Sequence, residues 1–322
     1  MTTASISKHR KPVIRFLIGF SLLLGLTGFV DYDRIVASVS TANRPLLWLG
    51  FLLFSAQGLF ESNRLKITYA GFNISFLDSV RLFFVGLFFG NFSPGPIGAD
   101  IYQIYHMHTI KPGLLKPLSL SFFLRLNGLL INLLLAIVVL SLDIRSWMNL
   151  INIYPASLTL PNWLVYSILS AFLLMATLVA SSQIRSRMHL IYKKLCEVIR
   201  GLIELFSAFS FSQHASIAIM GVLVVFSRVM SIYVLVQAFG STIDGLDVIL
   251  IVTVSTLAAL LPISLGGLGV REISLTALLI AFGVAPSESV AISLIGRCFI
   301  WALSLVGGVW FTFHKVRGNT NK

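Results

Sequence analysis

Acidic residues are scarce in this chain: 12 Asp and Glu stand against 24 Lys and Arg in 322 residues, and charged residues of both signs make up only 11%. So few charges exclude an ordinary soluble globular protein. The two cysteines, Cys196 and Cys298, lie in different segments without CxxC spacing, so nothing supports a disulfide framework or a zinc site, and both are read as packing residues. No nucleotide-binding loop is present. What fills the chain is apolar, 57% of all residues, with a mean hydropathy of +0.91. Apolar stretches near the roughly 20 residues needed to cross a bilayer recur along it, which describes an integral membrane protein with several spans.

The net charge of +12 comes from short basic runs between apolar segments, a pattern that orients a protein in a membrane and does not bind nucleic acid. Candidate spans fall at about 13–30, 45–60, 117–142, 163–181, 214–240 and 288–314. Lys8, Arg10, Lys11 and Arg15 precede the first, which is read as a retained span. Two more apolar stretches, near 82–110 and 248–283, are broken by proline and glycine. The 12 residues between Arg81 and Pro94 reach about 18 Å as a helix, and the 14 between Asp247 and Pro262 about 21 Å, against a bilayer core of about 30 Å. Each therefore predicts a re-entrant hairpin.

The broken stretches match each other. Both open on Leu-Asp, at Asp78 and Asp247, and both reach a proline followed by an aliphatic, a glycine and a small residue: Pro94, Ile97, Gly98, Ala99 against Pro262, Leu265, Gly266, Gly267. Ser121 and Arg125 are answered by Ser293 and Arg297 at the same spacing. This is an internal duplication. Basic residues then set its orientation: Arg64 and Lys66, Lys111 and Lys116, the 185–200 run, Lys315 and Arg317 are assigned to cytoplasmic flanks, and only Arg34, Arg44 and Arg145 to the other side. Both termini are then cytoplasmic and the repeats are inverted.

The expected fold is all-α, a polytopic bundle of two inverted repeats, each with two spans, a re-entrant hairpin and a third span. That makes six crossings and two hairpins, within one membrane domain covering 1–322. Residues 1–142 form the first repeat, 143–162 an external connector and 163–322 the second repeat, with an amphipathic cytoplasmic helix at 184–209.

Irregular backbone at membrane depth is tolerated only where protein buries it or it lines a cavity, and paired broken helices in two inverted halves point to a midplane binding site. The return helices would aim their N-termini at the bilayer centre, where they favour an anion. Candidate binding residues are Pro94, Gly98 and Asp100 in the first half, and Pro262, Gly266, Gly267 and Gly269 in the second. Deep charges join them: Arg125, Arg228, Arg271, Glu272 and Arg297. Arg228 lies well inside its span, whereas Arg271 has Glu272 beside it as a ready partner. The surplus of deep arginine over acid suits a phosphate-bearing substrate. His106 and His108 lack a carboxylate or cysteine to complete a metal set, and no cofactor is expected. The aromatic pairs Tyr102, Tyr105 and Phe122, Phe123 read as packing or interfacial anchors.

With PGPIGAD at 94–100 and LPISLGGLGVRE at 261–272, followed by FGV at 282–284 and the span holding Arg297, the chain resembles the flippase-like family that includes the transmembrane region of lysylphosphatidylglycerol synthases. The resemblance implies movement of a lipid or lipid-linked head group between leaflets of a bacterial inner membrane. It implies no aminoacyl-transfer domain and no enzyme activity here, with lipid synthesis left to a separate protein. Gln103 stands where the family commonly has arginine, and Leu124 where an acid commonly precedes the arginine of the next span, so neither a head-group contact at 103 nor a local ion pair at 125 follows from it. Anionic membrane lipids are the expected partners, with a homo-oligomer as a further option. Two other readings stand beside this one. An intramembrane polyprenyl-pyrophosphate phosphatase would need ExxxE and PGxSR stretches, and neither occurs; a non-transporting envelope-assembly subunit remains as the third. Asp100 and Glu272 are the candidates for proton coupling.

Overall fold

The computed structural model describes residues 32–91, 97–142, 200, 209–260 and 268–313. The expected spans at 13–30 and 163–181, the connector, the helix at 184–209 except for residues 200 and 209, Cys196, and the breaks holding Pro94, Pro262, Gly266 and Gly267 lie outside the described residues. The rest is helical: α1 (Tyr32–Thr41), α2 (Arg44–Thr68), α3 (Phe76–Asn91), α4 (Ile97–Ile110), α5 (Leu115–Leu142), α6 (Phe211–Ala238), α7 (Gly245–Ala258), α8 (Val270–Ala281) and α9 (Pro286–Phe313).

Short polar residues start these helices by satisfying first-turn N–H groups that have no partner within the helix. The Asn43 side chain accepts from Leu46 N at 3.3 Å to open α2, and Asp244 accepts from Leu246 N at 3.1 Å to open α7. Ser210 and Gln213 cap α6 reciprocally. Ser75 and Asp78 do the same for α3, which therefore begins at Phe76, ahead of the apolar run from 82. Its 16 residues still reach only about 24 Å, short of a bilayer core.

Helices α5, α6 and α9, each of 28 residues, are long and apolar enough to cross a membrane. Helix α2 has 25 residues but carries Glu61, Arg64 and Lys66. Outward faces stay apolar, with Leu134, Ile137, Leu305 and Val309 exposed where lipid tails would lie. The protein is an integral, multi-pass membrane protein.

The helices come in matching series. Lengths of 25, 16, 14 and 28 residues for α2 to α5 are followed by 28, 14, 12 and 28 for α6 to α9. Packing is reciprocal: α3 lies on α9, and α7 lies on α5. At the centre α2 and α6 run antiparallel, because Asn43 N–H meets Ala238 O at 2.8 Å, Gly50 O accepts from Ser231 at 2.8 Å, and Asn63 sits beside Met220. Glycine permits the closest crossing, since a Cβ on Gly307 of α9 would collide with the backbone carbonyl of Phe84 on α3. Val225, Val229 and Leu235 of α6 pack with Ile251 of α7, Leu279 of α8 and Ile292 of α9 into the main apolar core.

Candidate functional site

Two ion pairs hold the short helices to the long ones, and both join residues 25 apart in sequence. Asp100, in the first turn of α4, accepts from Arg125 Nε of α5 at 2.5 Å and also from its Nη2. Glu272, in the first turn of α8, accepts from Arg297 of α9 through Nε at 2.8 Å and Nη2 at 2.6 Å. Each carboxylate also sits at the positive end of its helix. The other Glu272 oxygen takes Gly269 N–H at 2.8 Å; Gly269 has φ 85°, a conformation that suits glycine. The second pair is sealed, with side chains 3% and 2% exposed, while the first is partly open at 34% and 24%.

Between the two pairs lie adjoining cavities of about 320 and 260 Å³ that share Gln57, Ala99, Arg228 and Thr256 in their walls. Glu61, Arg64, Asp100, Gln103 and Arg125 line the first. Asn91, Arg271 and Arg297 line the second. Arg228 Nε donates to Gln57 Oε1 at 3.1 Å and Nη1 to Thr256 Oγ1 at 3.2 Å, both neutral partners. Arg64 pairs with Glu61 at 3.0 Å. Three acids thus take three arginines. Among the described residues, no carboxylate makes a direct ion pair with Arg228 or Arg271. The arginines lining these walls outnumber the acids beside them, and a partly buried excess of positive charge favours an anion over a cation.

The family model described as the lysylphosphatidylglycerol synthase TM region matches residues 13–308. The chain belongs to that family. It is also similar to the UPF0104 membrane protein PH1989 of Pyrococcus horikoshii, at 22% identity over 93% of this chain and 96% of that one.

Of the residues singled out by sequence, the structure gathers Asp100, Arg125, Arg228, Arg271, Glu272 and Arg297 around these cavities. Gly98 is buried in the first turn of α4, and neighbouring Ala99 packs on Gly86. Two expectations about charge change. Arg271 does not take Glu272, since adjacent residues on a helix point in different directions and the carboxylate is turned toward Arg297. Arg64, assigned to a cytoplasmic flank, is 5% exposed inside α2 and donates from Nη2 to Leu124 O at 2.7 Å and Asn127 Oδ1 at 3.0 Å. The signal that could have found it is Glu61, one turn earlier on the same face. At 125 a pair does form, with the acid supplied from α4. Gln103 is 8% exposed and lines the first cavity. Cys298 is exposed on α9, so it is not a core packing residue. Among the described residues no group of three His, Cys, Asp or Glu could hold a metal ion.

Proposed function

We propose that this protein moves an anionic, phosphate-bearing lipid head group between the leaflets of the cell membrane, as a flippase or scramblase and not as an enzyme. The observation that carries this reading is the pair Arg228 and Arg271, cationic, cavity-lining and without a carboxylate. A phosphate would add negative charge between these arginines and accept from both guanidinium groups. Family membership supports the same reading.

The mechanism follows from an inverted arrangement. Equivalent central helices α2 and α6 are antiparallel, which supports two halves related by a two-fold axis in the membrane plane. Helix pairs α3/α4 and α7/α8 then act as hairpins dipping from opposite faces, both termini lie on the cytoplasmic side, and the arginines sit where the hairpins meet. A head group could pass from the Asp100–Arg125 side to the Glu272–Arg297 side while its tails stay in lipid. Asp100, being the more open acid, is the better placed of the two to exchange a proton.

Proteoliposomes holding a fluorescent head-group-labelled phosphatidylglycerol in one leaflet test this directly. Wild-type protein should expose the label to an external quencher faster than empty vesicles. Equal rates for wild type and for Arg228→Gln/Arg271→Gln, with both proteins folded, would reject the reading.

A further inference from the structure

A third cavity, of about 630 Å³, lies where α3 begins and where α4 and α9 end. It shares no lining residue with the two central chambers. Helical spacing explains the separation. On α4, Ala99 and Gln103 face the central cavity, whereas Tyr102, His106 and Thr109 form the stripe that faces this one.

Two buried polar atoms here make no hydrogen bond. Arg81 makes one long ion contact, Nη1 to Asp78 at 3.8 Å, and its guanidinium lies over the Trp310 ring at 5.6 Å. Its Nε is buried without a hydrogen bond, as is Nδ1 of His106. Asp78 is already engaged, accepting from Ser75 Oγ at 2.7 Å in the helix cap. A buried donor without a partner is costly, so Arg81 Nε–H is available to an incoming acceptor. Lys111, whose ammonium lies 5.9 Å over the ring of the lining residue Phe72, donates to Gly71 O and does not itself line the cavity.

Duplication supplies a control for this place. Pairing Asp78 with Asp247 sets Arg81 against Leu250, and pairing the two ion pairs sets His106 against Leu278 and Phe311 against Val139. Leu250 and Val139 pack together in a closed apolar cluster, at 0% and 2% exposure. The fold therefore needs no cavity and no charge here. The first half has arginine, histidine and a space where the second half has packed leucines.

We infer that the cavity bounded by Arg81, His106 and Trp310 binds a phosphate-bearing amphiphile, separately from the central site. The Arg81 guanidinium selects the anionic oxygens, and the aromatic wall of Tyr102, Trp310 and Phe311 takes the apolar portion. The volume exceeds what a free anion needs, and the aromatic ring of residues suits the membrane interface.

The test uses the full chain in detergent micelles with Trp48, Trp147, Trp163 and Trp301 changed to Phe, leaving Trp310 as reporter. Dihexanoylphosphatidylglycerol should change the Trp310 emission saturably, and dihexanoylphosphatidylcholine should do so much more weakly. Arg81→Leu should weaken the phosphatidylglycerol response about tenfold or more, and Arg81→Lys, which keeps the charge but not the fork, by a smaller factor. Arg228→Gln should leave it unchanged, which separates this site from the central one. Equal responses to both lipids, or Arg81 variants that bind like wild type, would overturn the proposal. Inorganic phosphate binding as tightly as the lipid would also overturn it, in favour of a free anion.

Discussion

Arg228 of α6 reaches across to Gln57 of α2 at 3.1 Å, a charged donor on a neutral acceptor at the point where the two central helices cross. Neither residue needs the other for charge balance. The contact positions the guanidinium and leaves its charge available to whatever enters the cavities on either side.

Replacing Arg228 by Gln should therefore slow lipid transfer in proteoliposomes at least tenfold while changing thermal stability by about 1 kcal/mol or less, because an uncompensated buried cation is removed along with two neutral hydrogen bonds. A large loss of stability with normal transfer would reverse the assignment.

Glu272 and Arg297 should behave in the opposite way. Glu272→Gln or Arg297→Leu breaks a sealed ion pair and is expected to destabilise the protein by about 3–5 kcal/mol, whereas the double change Glu272→Leu/Arg297→Leu should recover most of that loss. Thermal unfolding of the purified protein in micelles reads all three.

Asp100→Asn opens the more exposed pair, so its stability cost should be smaller, about 1–2 kcal/mol. Its effect on transfer should be larger than that of any variant with a matched loss of stability. Transfer rates compared at equal folded fraction decide this.

Gly307→Ala drives a methyl group into the Phe84 carbonyl, where backbone cannot yield without moving α3 from α9. Expected are a loss of about 1–3 kcal/mol and slower transfer, since α3 carries one wall of both cavities. Gly296→Ala, about three turns earlier on the same helix and with open space around it, should be near neutral by the same measurement.

The proposed inversion has its own test. Single cysteines placed at Asp78 and Asp247, in a background without Cys196 and Cys298, should react with a membrane-impermeant thiol reagent added to opposite sides of the membrane. Labelling of both from one side would exclude inverted halves.

Membrane residence and helical class are legible in the amino-acid sequence, because hydropathy, caps and breakers such as Asn43, Ser210 and Asp244 act over a few residues. So is the presence of Arg125, Arg228, Arg271 and Arg297 within apolar sequence. Which acid neutralises which arginine is decided only by tertiary structure. The neighbour of Glu272 along the chain is Arg271, but the helical turn points its carboxylate at Arg297 on the next helix, and Asp100 likewise meets Arg125 across two helices. The burial of Arg64 escapes a linear reading for the same reason, since only the length of α2 and the approach of α5 enclose it. Local pattern governs where a charge can be; three-dimensional packing governs which charge remains without a counter-ion, because pairing depends on distances that the linear order does not contain.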